Sequence, residues 1–430
     1  MLRTLESALA DGVKKRELWA WAMYDFANSA YTTVVITAIY NAYFVAEIAG
    51  RASYATLAWT LALSCSYALI MLSAPALGRY ADRARAKKRL LAIMTVACLL
   101  GTIGLTLAAP GQVVLALVLI VISNYAFGSG ENLCAAFLPE LAKPEAIGRV
   151  SGFGWSLGYL GGLFSLGLCL VFVGWAQSAG WAASAFVPVC LLITAACFGF
   201  GALPTFLLLK ERGLRAEARA NNESSWQSLQ RSLAKLKQLP ELRALLISIV
   251  ASQAGIQTVI ALAAVFAQEA LGFKAQQTIM MLFVVNITAA IGAFAFGMLQ
   301  DRVGHRRMLS VALMLWIVAI GVLAQSTSQT GFWIAANLAG LALGAAQSAG
   351  RALVGVLSPY AARAEFYALW GLAVKLGSII GPVCYGLTEF LSGNNHRLAM
   401  WVTALFFVAG LLLLIPVRVA AGRERVAAVG

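Results

Sequence analysis

Gly78–Leu90 reads GRYADRARAKKRL, and Gly297–Leu309 reads GMLQDRVGHRRML. The two stretches align at one offset of 219 residues: Gly78 with Gly297, Asp82 with Asp301, Arg83 with Arg302, and Lys87-Lys88 with Arg306-Arg307. Each lies between two long apolar segments. A basic loop with one fixed acid, repeated half a chain apart between apolar segments, implies two homologous halves of a membrane protein. The spacing recurs elsewhere: Gly152/Gly371 and Gly158/Gly377 differ by 219, and Pro139/Pro359 by 220.

Composition agrees. Of the 430 residues, 61% are hydrophobic and 12% charged, with a mean hydropathy of +0.81. Soluble domains carry about 25% charged residues, so the chain reads as a polytopic membrane protein. The net charge of +14 does not point to nucleic acid, because the cations sit in short loops between apolar runs. All seven cysteines (65, 98, 134, 169, 190, 197 and 384) fall in apolar segments without a CxxC pair, which disfavours a disulfide framework and a zinc site. With only His305 and His396 and no GxxxxGK[ST] loop, neither a metal centre, a resident cofactor, ATP hydrolysis nor another enzymatic activity is expected. Lys14-Lys15-Arg16 lead directly into a span too long for a signal-peptide core, so no cleavable signal is expected.

Apolar runs of about 20 residues span a bilayer as helices. That rule places twelve spans near 19–45, 54–77, 90–109, 113–137, 149–174, 183–209, 243–271, 276–299, 308–324, 332–357, 365–391 and 397–417. The fold class is therefore all-α integral membrane, with about twelve transmembrane helices in two pseudo-symmetric six-helix bundles, 1–209 and 243–430. Loop cations concentrate on one side: Arg3, Lys14 to Arg16, Arg79 through Arg89, Lys143, Arg149, the stretch from Lys210 to Arg243, Arg302, Arg306, Arg307, Arg363 and the tail arginines. The other side carries only Arg51, Lys274 and Arg397. By the positive-inside bias both termini and the central linker are cytoplasmic, and a bacterial inner membrane is the expected location. In the linker, 210–242, Trp226, Leu229, Leu233 and Leu236 recur at helical spacing with Arg231, Lys235 and Lys237. A helix lying on the anionic leaflet suits that pattern; a partner-docking helix is the alternative.

Ionisable groups inside spans cost about 2.5–3.5 kcal/mol each on insertion scales, so each needs a reason to be there. Four are present: Asp25, Glu131, Arg351 and Lys375. Glu131 and Arg351 stand 220 residues apart, at equivalent depths in the fourth and tenth spans. A direct ion pair between them is one reading; separate pairing, with Arg83 or Asp25, is the other. Asp25 lies on a polar strip with Asn28, Ser29 and Thr32, and Gln253, Gln257 and Thr258 offer a counterpart in the seventh span. These groups mark the expected substrate and ion pathway at the midplane between the halves, and Asp25 is the candidate proton carrier. Lys375 either anchors an anionic substrate group or serves as counter-ion to an acid such as Asp25. Asp82 and Asp301 can accept backbone N–H bonds at helix N-termini. Pseudo-symmetry would place Asp82 on the eleventh span and Asp301 on the fifth, making Gly78, Asp82, Arg83, Gly297, Asp301 and Arg302 a cytoplasmic gate. Glycine rows at 154, 158 and 162 and at 377 and 381 suit close helix packing.

The two Gly-x-x-x-Asp-Arg loops resemble the signature of the major facilitator superfamily. Within it, WAMYDFANSAY at 21–31 is similar to the opening of the vacuole-effluxer-like family. FLPELA at 137–142, GRVSGFGWSLGYLGG at 148–162 and ALPTFLLLKER at 202–212 add to the likeness. So do GIQTVI at 255–260, QSAGRAL at 347–353 and EFYALWGLAVKLGSIIGP at 365–382. Where many relatives have Asn-Asp before GIQTVI, this chain has Gln253-Ala254, and so lacks a carboxylate in the seventh span. The resemblance implies the major facilitator fold and a monomeric, alternating-access transporter of a small polar solute. Amino acids lead as the substrate, with efflux as a direction and protons as a coupling ion. A membrane receptor or assembly factor that kept the fold without transport is the competing reading.

Overall fold

The computed structural model describes residues 6–52, 54–212, 225–271, 275–326, 328–392 and 396–429. Arg3, Lys274 and the linker stretch 213–224 lie outside the described residues.

Among the described residues, eleven helices are long and apolar enough to cross a bilayer. With the 17-residue helix Lys15–Tyr31, which is not among the eleven, there are twelve; in chain order they are α1 (Lys15–Tyr31), α2 (Ala55–Ala84), α3 (Lys87–Gly104), α4 (Val113–Ala135), α5 (Ile147–Ser178) and α6 (Ala183–Leu208). The second set is α7 (Pro240–Leu271), α8 (Ala275–Val303), α9 (His305–Gln325), α10 (Gln329–Leu357), α11 (Arg363–Leu391) and α12 (His396–Leu414). The span expected at 19–45 is the one that departs from a single α-helix. After Tyr31 it continues as a π-helix over Thr32–Ala38, a short α-helix over Tyr40–Tyr43 and a second π-helix over Phe44–Ile48. The run TTVVIT supplies six consecutive β-branched residues, whose stiff side chains crowd an α-helical turn. Wider π turns of this kind recur at functional sites.

Within each half, the helices pack on equivalent partners: α5 on α1, α11 on α7. Between halves the principal contacts are α5 with α8 and α2 with α11, supported by α5 with α10 and α4 with α11. Glycine sets the closeness of these crossings. A Cβ on Gly78 of α2 would stand 2.6 Å from the Ala364 carbonyl oxygen of α11, and one on Gly152 of α5 would stand 2.7 Å from Gly297 Cα of α8. The repeated glycines of the sequence signature are thus where the halves touch backbone to backbone. Large apolar side chains such as Leu57, Leu61, Val171 and Phe200 are exposed on the perimeter, where lipid solvates them. The interior of the most enclosed helix, α10, is built from alanine and glycine.

The linker helix, Ser225–Leu236, forms over the predicted residues but does not lie free on a lipid surface. Leu229, Ser232 and Leu236 are buried against α2 and α11, while Trp226 and Leu233 stay exposed. The amphipathic pattern reported a buried edge; its owner turned out to be the chain itself.

The close crossings make a clear expectation for α11. A Cβ on Gly377 would stand 2.8 Å from the Ala254 backbone nitrogen of α7, whereas Gly386 on the same helix has nothing within 4 Å. Gly377→Val should therefore destabilise by about 1–3 kcal/mol through overpacking, and Gly386→Val should leave the melting temperature of the detergent-purified protein unchanged. Equal shifts for the two would count against backbone contact as the constraint.

Candidate functional site

A cavity of about 370 Å³ lies between the halves, lined by α1, α2, α4, α5, α7, α8, α9, α10 and α11. Asp25, Asn28, Glu131, Gln257, Arg351 and Lys375 all line it. Gln253 does not; its Nε2 donates to Gln347 Oε1 at 2.8 Å, and Gln347 lines the cavity. Ala254, where the family resemblance would place a carboxylate, is fully buried against the glycines of α11.

The four intramembrane charges form two pairs, and not the direct Glu131–Arg351 pair. Arg351 Nη1 donates to Asp25 Oδ2 at 2.7 Å, joining α10 to α1 across the halves. Its Nε donates to Ser151 Oγ at 3.2 Å and its Nη2 to the Ser151 carbonyl at 2.8 Å. The Trp21 and Trp155 rings lie 4.9 and 5.1 Å from the guanidinium carbon. A planar, always-charged guanidinium with several donors and two faces suits such a slot. Gly154 makes the room: a Cβ there would stand 2.6 Å from Asp25 Oδ2 and 2.7 Å from Arg351 Nη2.

Lys375 pairs with Glu131 and not with Asp25, which the sequence offered as an alternative to a substrate anion. Its Nζ stands 4.0 Å from Glu131 Oε2, and 5.0 Å from the centre of the Tyr67 ring. The pairs differ in tightness: Arg351 and Asp25 are 3% and 15% exposed, whereas Lys375 and Glu131 are 12% and 28% exposed. The first pair is short and enclosed. The second sits at the outer limit of an ion pair and opens onto the cavity. Four buried polar atoms of cavity-lining residues find no protein partner: Asn28 Oδ1, Asn132 Nδ2, Trp155 Nε1 and Trp316 Nε1.

The repeated loops cap helices across the halves. α5 starts after Ala146 and α11 after Ala362, and neither alanine offers a side-chain cap. Asp301 of α8 takes that place on α5: Oδ1 accepts the Gly148 N–H at 2.9 Å, and Oδ2 the Arg149 N–H at 3.0 Å. Asp82 of α2 does so on α11, with Oδ2 accepting the Glu365 N–H at 3.1 Å. Lys87 Nζ bridges Asp82 and Glu140 at 3.3 and 2.6 Å. Gly78 and Gly297 allow the approach. Arg83 is half-buried and Arg302 exposed, and among the described residues neither makes an ion pair within 4 Å.

Ser151, Trp155, Trp21, Gln347, Arg149 and Glu365 were not singled out as site residues by sequence reasoning. All lie inside or beside the quoted family stretches, so the stretches carried the signal while single residues did not stand out by charge or depth.

The model of a family described as "Vacuole effluxer Atg22 like" matches residues 47–427. An uncharacterized MFS-type transporter, YxiO of Bacillus subtilis, is 26% identical over 92% of this chain and 93% of its own length. Autophagy-related protein 22-1 of Aspergillus fumigatus is 24% identical over 67% of this chain, which spans only 52% of the fungal protein. Among solved structures, the proton:xylose symporter XylE superposes with a TM-score of 0.74 at 14% identity, over 96% of this chain and 97% of that one. The human organic anion transporter MFSD10 does so with a TM-score of 0.70 at 15% identity, over 93% and 99%. The fold is that of the major facilitator transporters.

Asp25→Asn should cost about 3–5 kcal/mol by leaving Arg351 charged and unpaired. Adding Arg351→Gln should return much of that loss in melting temperature. A double variant as unstable as the single one would assign the stability to Ser151 and the tryptophans instead of the ion pair.

Proposed function

This chain belongs to the Atg22-like vacuole effluxer family of major facilitator transporters, and from that premise we propose that it moves a zwitterionic amino acid bound between Glu131 and Lys375. It is an integral membrane transporter that works by alternating access, not an enzyme. The observation that carries the substrate proposal is the loose Glu131–Lys375 pair facing the cavity. An α-carboxylate can take Lys375 while an α-ammonium takes Glu131, so the solute replaces a weak internal pair with two better ones. The donors of Asn132, Trp155 and Trp316 and the acceptor of Asn28 supply further contacts. The first half lines the cavity with Asn28, Ser29, Thr32, Thr33, Tyr67 and Asn124; the second adds Leu282, Val285, Ile320, Leu323, Phe332 and Leu343. With Ile36, Phe127 and Leu166 also in the first half and Gln257, Asn286 and Gln347 in the second, the lining is mixed on both sides and suits a solute with a polar end and an apolar side chain.

Glu131 is the proposed proton carrier in place of Asp25, because Asp25 is committed to Arg351 at 2.7 Å while Glu131 is held only by a loose pair with Lys375 at 4.0 Å. The proposed cycle has the halves 1–209 and 243–430 rocking about the cavity while Asp82 and Asp301 close the face that bears the termini. Loop charges support placing that face in the cytoplasm of a bacterial inner membrane, with transport outward as in the effluxer reading. The protein acts as a monomer in this scheme.

Solute counterflow in proteoliposomes, run over amino acids, peptides and sugars, tests the proposal. Amino acids should exchange, and Lys375→Met should weaken solute-induced thermal stabilisation at least about tenfold in concentration without lowering the melting temperature of the solute-free protein. Glu131→Gln, which removes both the proposed ammonium partner and the proposed proton carrier, should weaken exchange, and should lose accumulation driven by a pH gradient even at solute concentrations that restore exchange. Exchange of sugars alone, or full binding by Lys375→Met, would reject the assignment.

A further inference from the structure

The two gate sites differ at the third residue of the helix that each aspartate caps. On α5 that residue is Arg149, whose Nε reaches Asp301 Oδ2 at 2.9 Å. The acid there meets both a helix N-terminus and a cation. On α11 the third residue is Glu365, whose own N–H binds Asp82. This crossing therefore buries a second carboxylate besides Asp82, which has Lys87 at 3.3 Å; the Glu365 side chain is only 2% exposed. A buried carboxylate opposes closure unless another group neutralises it.

The linker helix supplies that group. Ser232 donates its hydroxyl to Glu365 Oε1 at 2.5 Å and Lys235 its ammonium to Oε2 at 2.9 Å. Leu229 and Leu236, buried on the same edge, hold the helix against α2 as well as α11. We propose that the linker helix is the third member of the α2–α11 gate, with Lys235 and Ser232 as positioning residues that neutralise Glu365 so that Asp82 can cap α11. The α5–α8 gate needs no such part because its third residue, Arg149, is itself a partner of Asp301 and adds no buried carboxylate. Closure of one side of the transporter thus depends on a segment outside the spans, and release of that segment opens the α2–α11 side first.

The inference rests on the proposed gating role of Asp82, and the test separates the two. In a cysteine-free background with Ser378→Cys in the cavity, a membrane-impermeant maleimide is applied from either side of oriented vesicles. Lys235→Gln should raise labelling from the face bearing the termini about threefold, the scale of a half-exposed ion pair, and lower it from the opposite face. Gln230→Ala, on the exposed edge of the helix, should do neither. In a Glu365→Gln background the effect of Lys235→Gln should vanish, since a neutral Glu365 position needs no partner. Labelling unchanged by Lys235→Gln while Asp82→Asn shifts it overturns the linker's role and leaves the gate. Labelling unchanged by both overturns the gate as well. An effect of Lys235→Gln that persists in the Glu365→Gln background overturns the assignment of Glu365 as its target.

Discussion

Arg351 carries a permanent charge into a membrane-spanning helix with only 3% of its side chain exposed, and much of the first half is arranged to receive it. Lipid offers that charge nothing, so Asp25 must lie within reach from α1, Ser151 must present its carbonyl and hydroxyl from α5, and two tryptophans must close over its faces. Gly154 has to lack a side chain for the group to fit. One requirement, neutralising a guanidinium in a low-dielectric interior, therefore links three helices from both halves near the base of the cavity. The Tyr367 hydroxyl, bonded to the Arg351 carbonyl at 2.9 Å, ties α11 into the same cluster.

With the tight pair committed, the loose one is left for chemistry. Glu131 and Lys375, at 4.0 Å, are close enough to moderate each other's cost in the membrane and too loosely paired to resist an exchange of partners. Tight pairs hold structure because breaking them strands a charge; weak pairs in a cavity exchange partners at small cost. The difference between the two pairs in distance and exposure is what assigns one to the scaffold and the other to the binding site in the proposed scheme.

Close approach has the same double use at the membrane face. The glycines of the repeated loops bring backbones together, and the aspartates four residues later supply the caps that Ala146 and Ala362 cannot. Helix N-termini that are satisfied only by an acid from the other half lose that partner when the halves separate there. The asymmetry between Arg149 and Glu365 then makes one of the two crossings dependent on the linker.

The periodic part of this architecture was legible in the amino-acid order. Apolar run lengths set the number of spans, loop cations set their expected sides, and the 219-residue offset exposed the duplication and the matched aspartates. These features are local or repeat along the chain, and the bilayer's thickness and the pseudo-symmetry turn them into depth and sidedness. Partner choice was not legible. Four charges at similar depths permit more than one neutral pairing, and the offset that relates Glu131 to Arg351 says that they occupy equivalent positions, not that they touch. Which acid faces which base depends on helix rotation and lateral neighbours, and those were decided by glycine contacts such as Gly154 and Gly158 against α1. The linker followed the same rule: Trp226, Leu229, Leu233 and Leu236 announced an apolar edge in sequence, but only packing could say that Leu229 and Leu236 alone are buried, by α2 and α11, because an amphipathic pattern records apolar area and carries no address.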